Sequence, residues 1–195
     1  MITPHADPFT HFNAWFDKAE SDTSIDAEAM ALATAANDAK PSVRMVYFRG
    51  MSTAKQIKFY SNYNSRKGQE LATNTHAALL FYWYPLNRQI RIEGTVKRMS
   101  AKQSASYFAS RPLPSQVSSY LSQQSRRIKS YQDFERQFAA KLAKTTTSLA
   151  CPSHWGGYLL TPDRFEFYCG HPHRLNERLI YEHSNDVWDI FNVSP

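Results

Sequence analysis

Cysteine is scarce: Cys151 and Cys169 are the only two among 195 residues. Two thiols make a poor disulfide scaffold, so a reducing, cytosolic setting is expected. No apolar run approaches the ~20 residues needed to cross a bilayer. Met1 to Asp7 lacks the basic patch and apolar core of a secretory signal. There is no Gly-rich dinucleotide loop, no P-loop and no Gly-x-Ser-x-Gly elbow, and no internal repeat or low-complexity segment. Acidic residues are missing from two long stretches. Ala39 to Gln69 holds Lys40, Arg44, Arg49, Lys55, Lys58, Arg66 and Lys67 with no acid, and Gly94 to Gln132 holds Lys97, Arg98, Lys102, Arg111, Arg126, Arg127 and Lys129 with none. Met1 to Met30 is the reverse, with Lys18 alone among six acids. Two separate basic blocks imply an anionic partner, either nucleic acid or a small phosphorylated ligand.

What is present fits one folded domain over residues 1–195, with 1–26 an N-terminal helix and linker. Hydrophobic residues make up 42% and charged residues 21%, which argues against disorder. Twelve Phe, eleven Tyr and four Trp supply rings suited to strands and to flat ligand sites.

Asp7-Pro8 opens a helix with Phe9, Phe12, Trp15 and Phe16 on one side. Ala29 to Ala36, Val43 to Phe48 and Gln56 to Tyr60 read as three consecutive antiparallel strands. Ser65 caps a helix to about Thr73, and Ala77 to Trp83 is a strand. Gln89 to Met99 is the clearest strand, because Ile90, Ile92 and Val96 alternate with polar residues. Ser100 caps a helix ended by Arg111-Pro112, and Ser115 to Ser122 and Tyr131 to Thr145 are two more helices. Tyr158 to Leu160, Phe165 to Cys169, Leu179 to His183 and Val187 to Val193 read as four short strands. The class is mainly β with helices: a β-barrel of antiparallel strands with helical decoration.

Several residues carry chemistry. Arg44 and Arg49 bracket a strand and point to opposite faces, Arg44 with Val46 and Phe48, Arg49 with Met45 and Tyr47. Ser65-Arg66-Lys67 sets two cations at a helix N-terminus, where free N–H groups already favour an anion. Cations there oppose the helix dipole, which speaks for a phosphate. Tyr107 and Arg111 share a helix face, with Ser115 just beyond. Ser122 to Ser125 supplies amides and hydroxyls for the polar edge of a heterocycle. Cys169-Gly-His171-Pro-His173 matches no zinc spacing, and no metal is expected.

These pieces fall in order with Asn87-Arg88-Gln89, Trp155-Gly156-Gly157 and Arg174-Leu-Asn-Glu-Arg178. Together they resemble the pyridoxine (pyridoxamine) 5′-phosphate oxidase family across essentially the whole chain. The resemblance implies an FMN-binding split barrel with Greek-key-like strands, a homodimer with FMN at the interface, and a role in vitamin B6 metabolism. Its reaction is oxidation of pyridoxine or pyridoxamine 5′-phosphate to pyridoxal 5′-phosphate, with O₂ reduced to H₂O₂. The implied FMN set is Arg44, Met45, Val46, Tyr47, Phe48, Tyr60, Ser61, Arg66, Lys67, Gln89, Gln124, Ser125, Tyr168 and Arg178. The implied substrate set is Arg49, Tyr107, Arg111, Ser115, Arg174 and Asn176, the last two being the catalytic candidates. Three positions depart from the pattern: Arg49 stands where the family commonly has Lys, Tyr168 where it has Trp, and Asn176 where it has His. Asn bonds a ligand but does not titrate near neutrality.

Other readings differ in what they require. A phenazine-biosynthesis type of oxidase keeps the FMN set without needing the Tyr107, Arg111 and Ser115 clamp. A flavin-binding homologue with altered or lost activity follows from Asn176. A basic nucleic-acid binder ranks last, since no DNA- or RNA-binding motif is present.

Overall fold

The computed structural model describes residues 2–195. Its elements run α1 (Pro8–Glu20), β1 (Ala29–Ala35), β2 (Pro41–Tyr47), β3 (Ile57–Asn62), α2 (Arg66–Thr73), β4 (His76–Trp83), β5 (Arg88–Arg98), α3 (Ala101–Ser110), α4 (Leu113–Leu121), α5 (Tyr131–Ala143), β6 (Trp155–Cys169), β7 (Glu177–Ser184) and β8 (Val187–Asn192). Among the described residues the eight strands form one antiparallel sheet in the order β2-β1-β4-β5-β6-β7-β8, with β3 added to β6. No helix among them is long and apolar enough to cross a membrane.

The helix starts follow local chemistry. The Asp7 side chain accepts from the Thr10 N–H with Pro8 at the first helical position. Ser65 accepts from the Gly68 N–H. Ser100 and Gln103 form a reciprocal capping box. Inside, α1 lays Phe12 against Phe48 and Phe81, ring centroids 5.5 and 5.3 Å apart, so the N-terminal helix belongs to the core.

Strand β6 organises the sheet. Along one edge it pairs with β5 over nearly its full length. Along the other edge its first half pairs with β3 (Tyr60 opposite Gly157) and its second half with β7 (Tyr168 opposite Arg178). That change of partner splits the barrel. A bulge lies where Glu93 pairs with Arg164 and Gly94 with Pro162. It tolerates the missing N–H of Pro162. A Cβ on Gly94 would stand 2.1 Å from the Thr161 carbonyl oxygen, so the close crossing requires glycine.

Three expectations are corrected here. The first three strands are not one consecutive antiparallel set: β1 and β2 pair, but β3 joins β6, about a hundred residues later. The pair Tyr158 to Leu160 and Phe165 to Cys169 is one continuous strand of 15 residues, because the Pro162 region is absorbed as a bulge. In addition, α4 begins at Leu113, just after Pro112, rather than at Ser115.

Candidate active site

One cavity of about 290 Å³ gathers residues from distant segments: Met45, Val46, Tyr47 and Arg49 from β2 and its exit, Tyr60, Ser61 and Asn62 from β3, and Lys67 from α2. Its far wall is Tyr107, Arg111, Ser118, Ser119, Ser122, Gln124 and Trp155. The aromatic part is layered. Tyr60 stacks on Tyr107 with centroids 3.8 Å apart, and on Trp155 at 5.5 Å. A Cβ on Gly157 would come within 2.9 Å of the Tyr60 ring, so this glycine gives the ring its seat. Flat rings and cations in one concave site suit a flat anionic ligand.

The cations form two groups. In the first, Lys67 is buried; its Nζ donates to Gln124 Oε1 at 2.8 Å and Ser65 Oγ at 3.4 Å. Burial, with the nearby Arg44 charge, pushes the ammonium down to about 8 against the pull of Glu70. Ser61 Oγ also donates to Gln124 Oε1, at 3.3 Å. Arg44 and Arg66 are drawn to Glu70 instead. Arg44 Nη2 lies 3.2 Å from Glu70 Oε2 and also bonds Ser42, while Arg66 Nε lies 2.8 Å from Glu70 Oε1. Burial alone would raise the Glu70 carboxyl. The hydrogen bonds from Ser42, Thr34 and Arg66 and the Arg44 charge outweigh it and hold the group at about 2.

Glu70 thus has a folded value below the ordinary carboxylate value of 4.5. Its stabilising contribution is complete above that ordinary range and is lost as pH falls toward 2. Glu70→Gln is expected to lower the urea midpoint at neutral pH and to flatten its decline between pH 4.5 and 2. Identical pH slopes in the two proteins would contradict the assignment.

In the second group, Arg111 Nη1 donates to Ser119 Oγ at 2.8 Å, and its guanidinium lies 4.7 Å from the Trp155 ring centre. Burial lowers its pKa; Tyr107 opposes this and the like charge of Arg49 adds to it. Arg49 pairs with Glu28 and lies 4.9 Å from the Tyr47 ring centre. Among the described residues neither Lys67 nor Arg111 has a carboxylate within ion-pair distance. Each is a half-buried or buried cation facing the cavity with no carboxylate in ion-pair contact, which suits a phosphate.

The remaining sequence-derived residues stand elsewhere. Ser115 does not line the cavity; Ser119, one turn further along α4, bonds Arg111. Ser125, left-handed with φ 67°, lines a neighbouring cavity of about 720 Å³ between α4 and α5. Phe48 is buried in the core behind the site. Gln89, Tyr168 and Arg178 are cross-strand neighbours in one row. Glu166 holds Arg178 by two bonds of 2.9 and 3.1 Å, which raises the Arg178 pKa. This row sits at the far end of β6 from Trp155, so one protomer does not bring it to the cavity. Arg174 is exposed on the loop before β7, where His173 and Arg174 are both left-handed. Such backbone costs about 1–3 kcal/mol per residue and clusters at ligand clamps. Asn176 Oδ1 accepts the His171 N–H at 3.1 Å, closing that loop. Sequence reasoning gave no role to Trp155, Asn62, Ser118 or Ser119. Ser119 had a usable signal, lying one helical turn from Ser115 on the same face.

A family model described as pyridoxamine 5′-phosphate oxidase matches residues 17–141. A pyridoxine/pyridoxamine 5′-phosphate oxidase of Salinibacter ruber is 44% identical over 193 residues, covering 97% of this chain and 89% of that one. This chain belongs to the pyridoxine/pyridoxamine 5′-phosphate oxidase family. A member from Paraburkholderia phymatum is 45% identical over 192 residues, covering 96% and 89% of the two chains. A second model, the pyridoxine 5′-phosphate oxidase C-terminal dimerisation region, matches residues 155–195, the part holding Tyr168, Arg174, Asn176 and Arg178. Among solved structures, PhzG from Burkholderia lata 383, in complex with tetrahydrophenazine-1-carboxylic acid, superposes with a TM-score of 0.92 at 28% identity, covering 98% of this chain and 94% of that one. A pyridoxamine 5′-phosphate oxidase-related, FMN-binding protein from Nostoc punctiforme gives 0.77 at 16% identity, over 99% and 100%, and supports the split-barrel fold.

Proposed function

We propose that two copies of this chain build two FMN sites and oxidise pyridoxine or pyridoxamine 5′-phosphate to pyridoxal 5′-phosphate, with O₂ reduced to H₂O₂. One observation carries the reading: a cavity with two separate unpaired cations, Lys67 and Arg111, walled by stacked rings. Two cations beside one aromatic wall match two phosphates, one on a cofactor and one on a substrate.

The donor set fits FMN. Lys67, the free N–H groups opening α2 and the nearby Arg44 and Arg66 charges would hold its phosphate. Ser61, Gln124 and Ser125 would bond its polar edges, beside Met45 to Tyr47. Bound FMN supplies the two-electron redox chemistry. Arg111, Arg49, Tyr107 and Ser119, with Ser115 on the same helix face, would grip the substrate phosphate and so align the ring to be oxidised. Remote binding energy spent on alignment lowers the barrier.

A second copy would complete each site. On β2, Val43, Met45 and Tyr47 are 69%, 63% and 51% exposed, an apolar stripe unusual on a strand of a finished surface. Covering that stripe with another protomer would bring a second β6 end, carrying Gln89, Tyr168, Arg178, Arg174 and Asn176, toward the cavity.

The phenazine-type alternative is favoured by the close superposition on PhzG and by Asn176 in place of His. It gives Arg111 and Arg49 no phosphate to bind. Purified protein is expected to be yellow, or to become so with FMN, and to make aldehyde and peroxide from pyridoxine 5′-phosphate under air. Colourless protein that refuses FMN would overturn the flavin assignment. Yellow protein giving no aldehyde would overturn the substrate.

A further inference from the structure

Gln116 lies on α4, is 2% exposed and does not line the cavity. Its amide is nevertheless fully occupied. Nε2 donates to the Arg111 carbonyl at 2.8 Å and the Ala109 carbonyl at 3.3 Å. Oε1 accepts the Leu149 N–H at 2.9 Å and the Ser148 hydroxyl at 3.0 Å. An amide has two donor hydrogens and two acceptor lone pairs, so its capacity is spent. The partners also fix its orientation, since two carbonyls need donors and a backbone N–H needs an acceptor.

These four bonds join three chain segments at one point. The end of α3 carries Tyr107 and leads into Arg111. The next turn of α4 carries Ser119, and the 148–149 segment leads to Trp155. Arg111 is held by those same pieces: its guanidinium bonds Ser119 and lies over Trp155. The frame around the guanidinium therefore converges on one buried amide that lies outside the cavity.

We propose that Gln116 is a positioning residue for the substrate phosphate: it locks the Arg111 backbone to the segment bearing Trp155, so that the guanidinium is aimed before the ligand arrives. This rests on the reading of Arg111 as the phosphate-binding cation. Preorganised charge contributes affinity by removing the ordering cost at binding.

The test uses the FMN-loaded enzyme with Gln116→Met, which keeps side-chain length and removes all four bonds. KM for pyridoxine 5′-phosphate is expected to rise about tenfold, with kcat at saturation and FMN affinity within about twofold. The Kd for inorganic phosphate, read from the rise in melting temperature it causes, should weaken by a similar factor. In an Arg111→Ala background the same substitution should change KM by less than about twofold, because the group it aims is gone. An equal factor in both backgrounds, or parallel loss of FMN, would reduce Gln116 to a general structural role and overturn the proposal. So would an unchanged KM. If Gln116→Met does not fold, Ser148→Ala removes one of the four bonds and should raise KM about two- to threefold in the wild-type background alone; equal factors there overturn the proposal too. Should Arg111→Ala itself leave KM unmoved, the reading beneath fails, and that result is distinguishable from the others.

Discussion

Arg111→Ala is expected to raise KM for pyridoxine 5′-phosphate by about 10- to 100-fold, from a charge-assisted contact worth about 1.5–3 kcal/mol. FMN affinity should stay within about twofold. The asymmetry follows from geometry: Arg111 stands against Trp155 and Ser119, whereas Lys67 and Gln124 belong to the other cation group. A guanidinium that is partly desolvated, has no carboxylate partner and feels the charge of Arg49 gains most from a dianion. Steady-state kinetics beside a flavin-fluorescence titration of the apoprotein checks both halves. Equal loss of substrate and FMN binding would mean one merged site, not two.

Lys67→Met should act on the opposite ligand. FMN Kd is expected to rise about 10- to 100-fold, while KM of whatever holoenzyme can be loaded changes little. The wild-type protein should also show a pH signature. Burial sets the Lys67 ammonium near 8 in the free protein, so it loses its proton as pH rises through that value. FMN affinity should therefore weaken above about pH 8 in wild type and stay flat there in the variant, and binding above that pH should take up a proton. Folding stability of the FMN-free protein moves the other way. Its folded Lys67 value lies below the ordinary 10.5, so the unfolded state binds more protons between the two values. Stability from this group rises with pH across that window. A Lys67→Met titration that tracks wild type at every pH would remove the residue from the phosphate site.

Much of the local structure was legible in the chain. The caps at Asp7, Ser65 and Ser100 are short-range chemistry, and each helix starts where its cap dictates. Alternation in β5 placed Ile90 and Ile92 inside, and alternation in β2 put Arg44 with Val46 and Phe48 on the inner face. Pairing was not legible. Nothing in Gln56 to Tyr60 states that its partner is Trp155 to Leu160, because a period of two fixes the face of a strand and not its neighbour. Tyr158 to Leu160 and Phe165 to Cys169 read as separate strands, since the tolerance of Pro162 within one strand depends on a bulge that only the crossing with Gly94 creates.

The site divides in the same way. The cations near helix starts and strand exits were readable from charge and caps, and Tyr107 with Arg111 from helical spacing. Trp155 became part of the wall only through the β3–β6 pairing, and the Arg111–Ser119 bond follows from the pitch of α4, one turn beyond Ser115. The competition of Glu70 for Arg44 was also invisible, since it joins an acid on α2 to a strand more than twenty residues earlier.

The length of β6 has a genetic consequence. In the proposed dimer a single ribbon contributes its Trp155 end to one catalytic centre and its Tyr168 end to the other. A lesion midway along it, near the Pro162 kink, would spoil both centres of a mixed assembly containing one healthy subunit. Such an allele would behave as a dominant poison rather than as a simple halving of output.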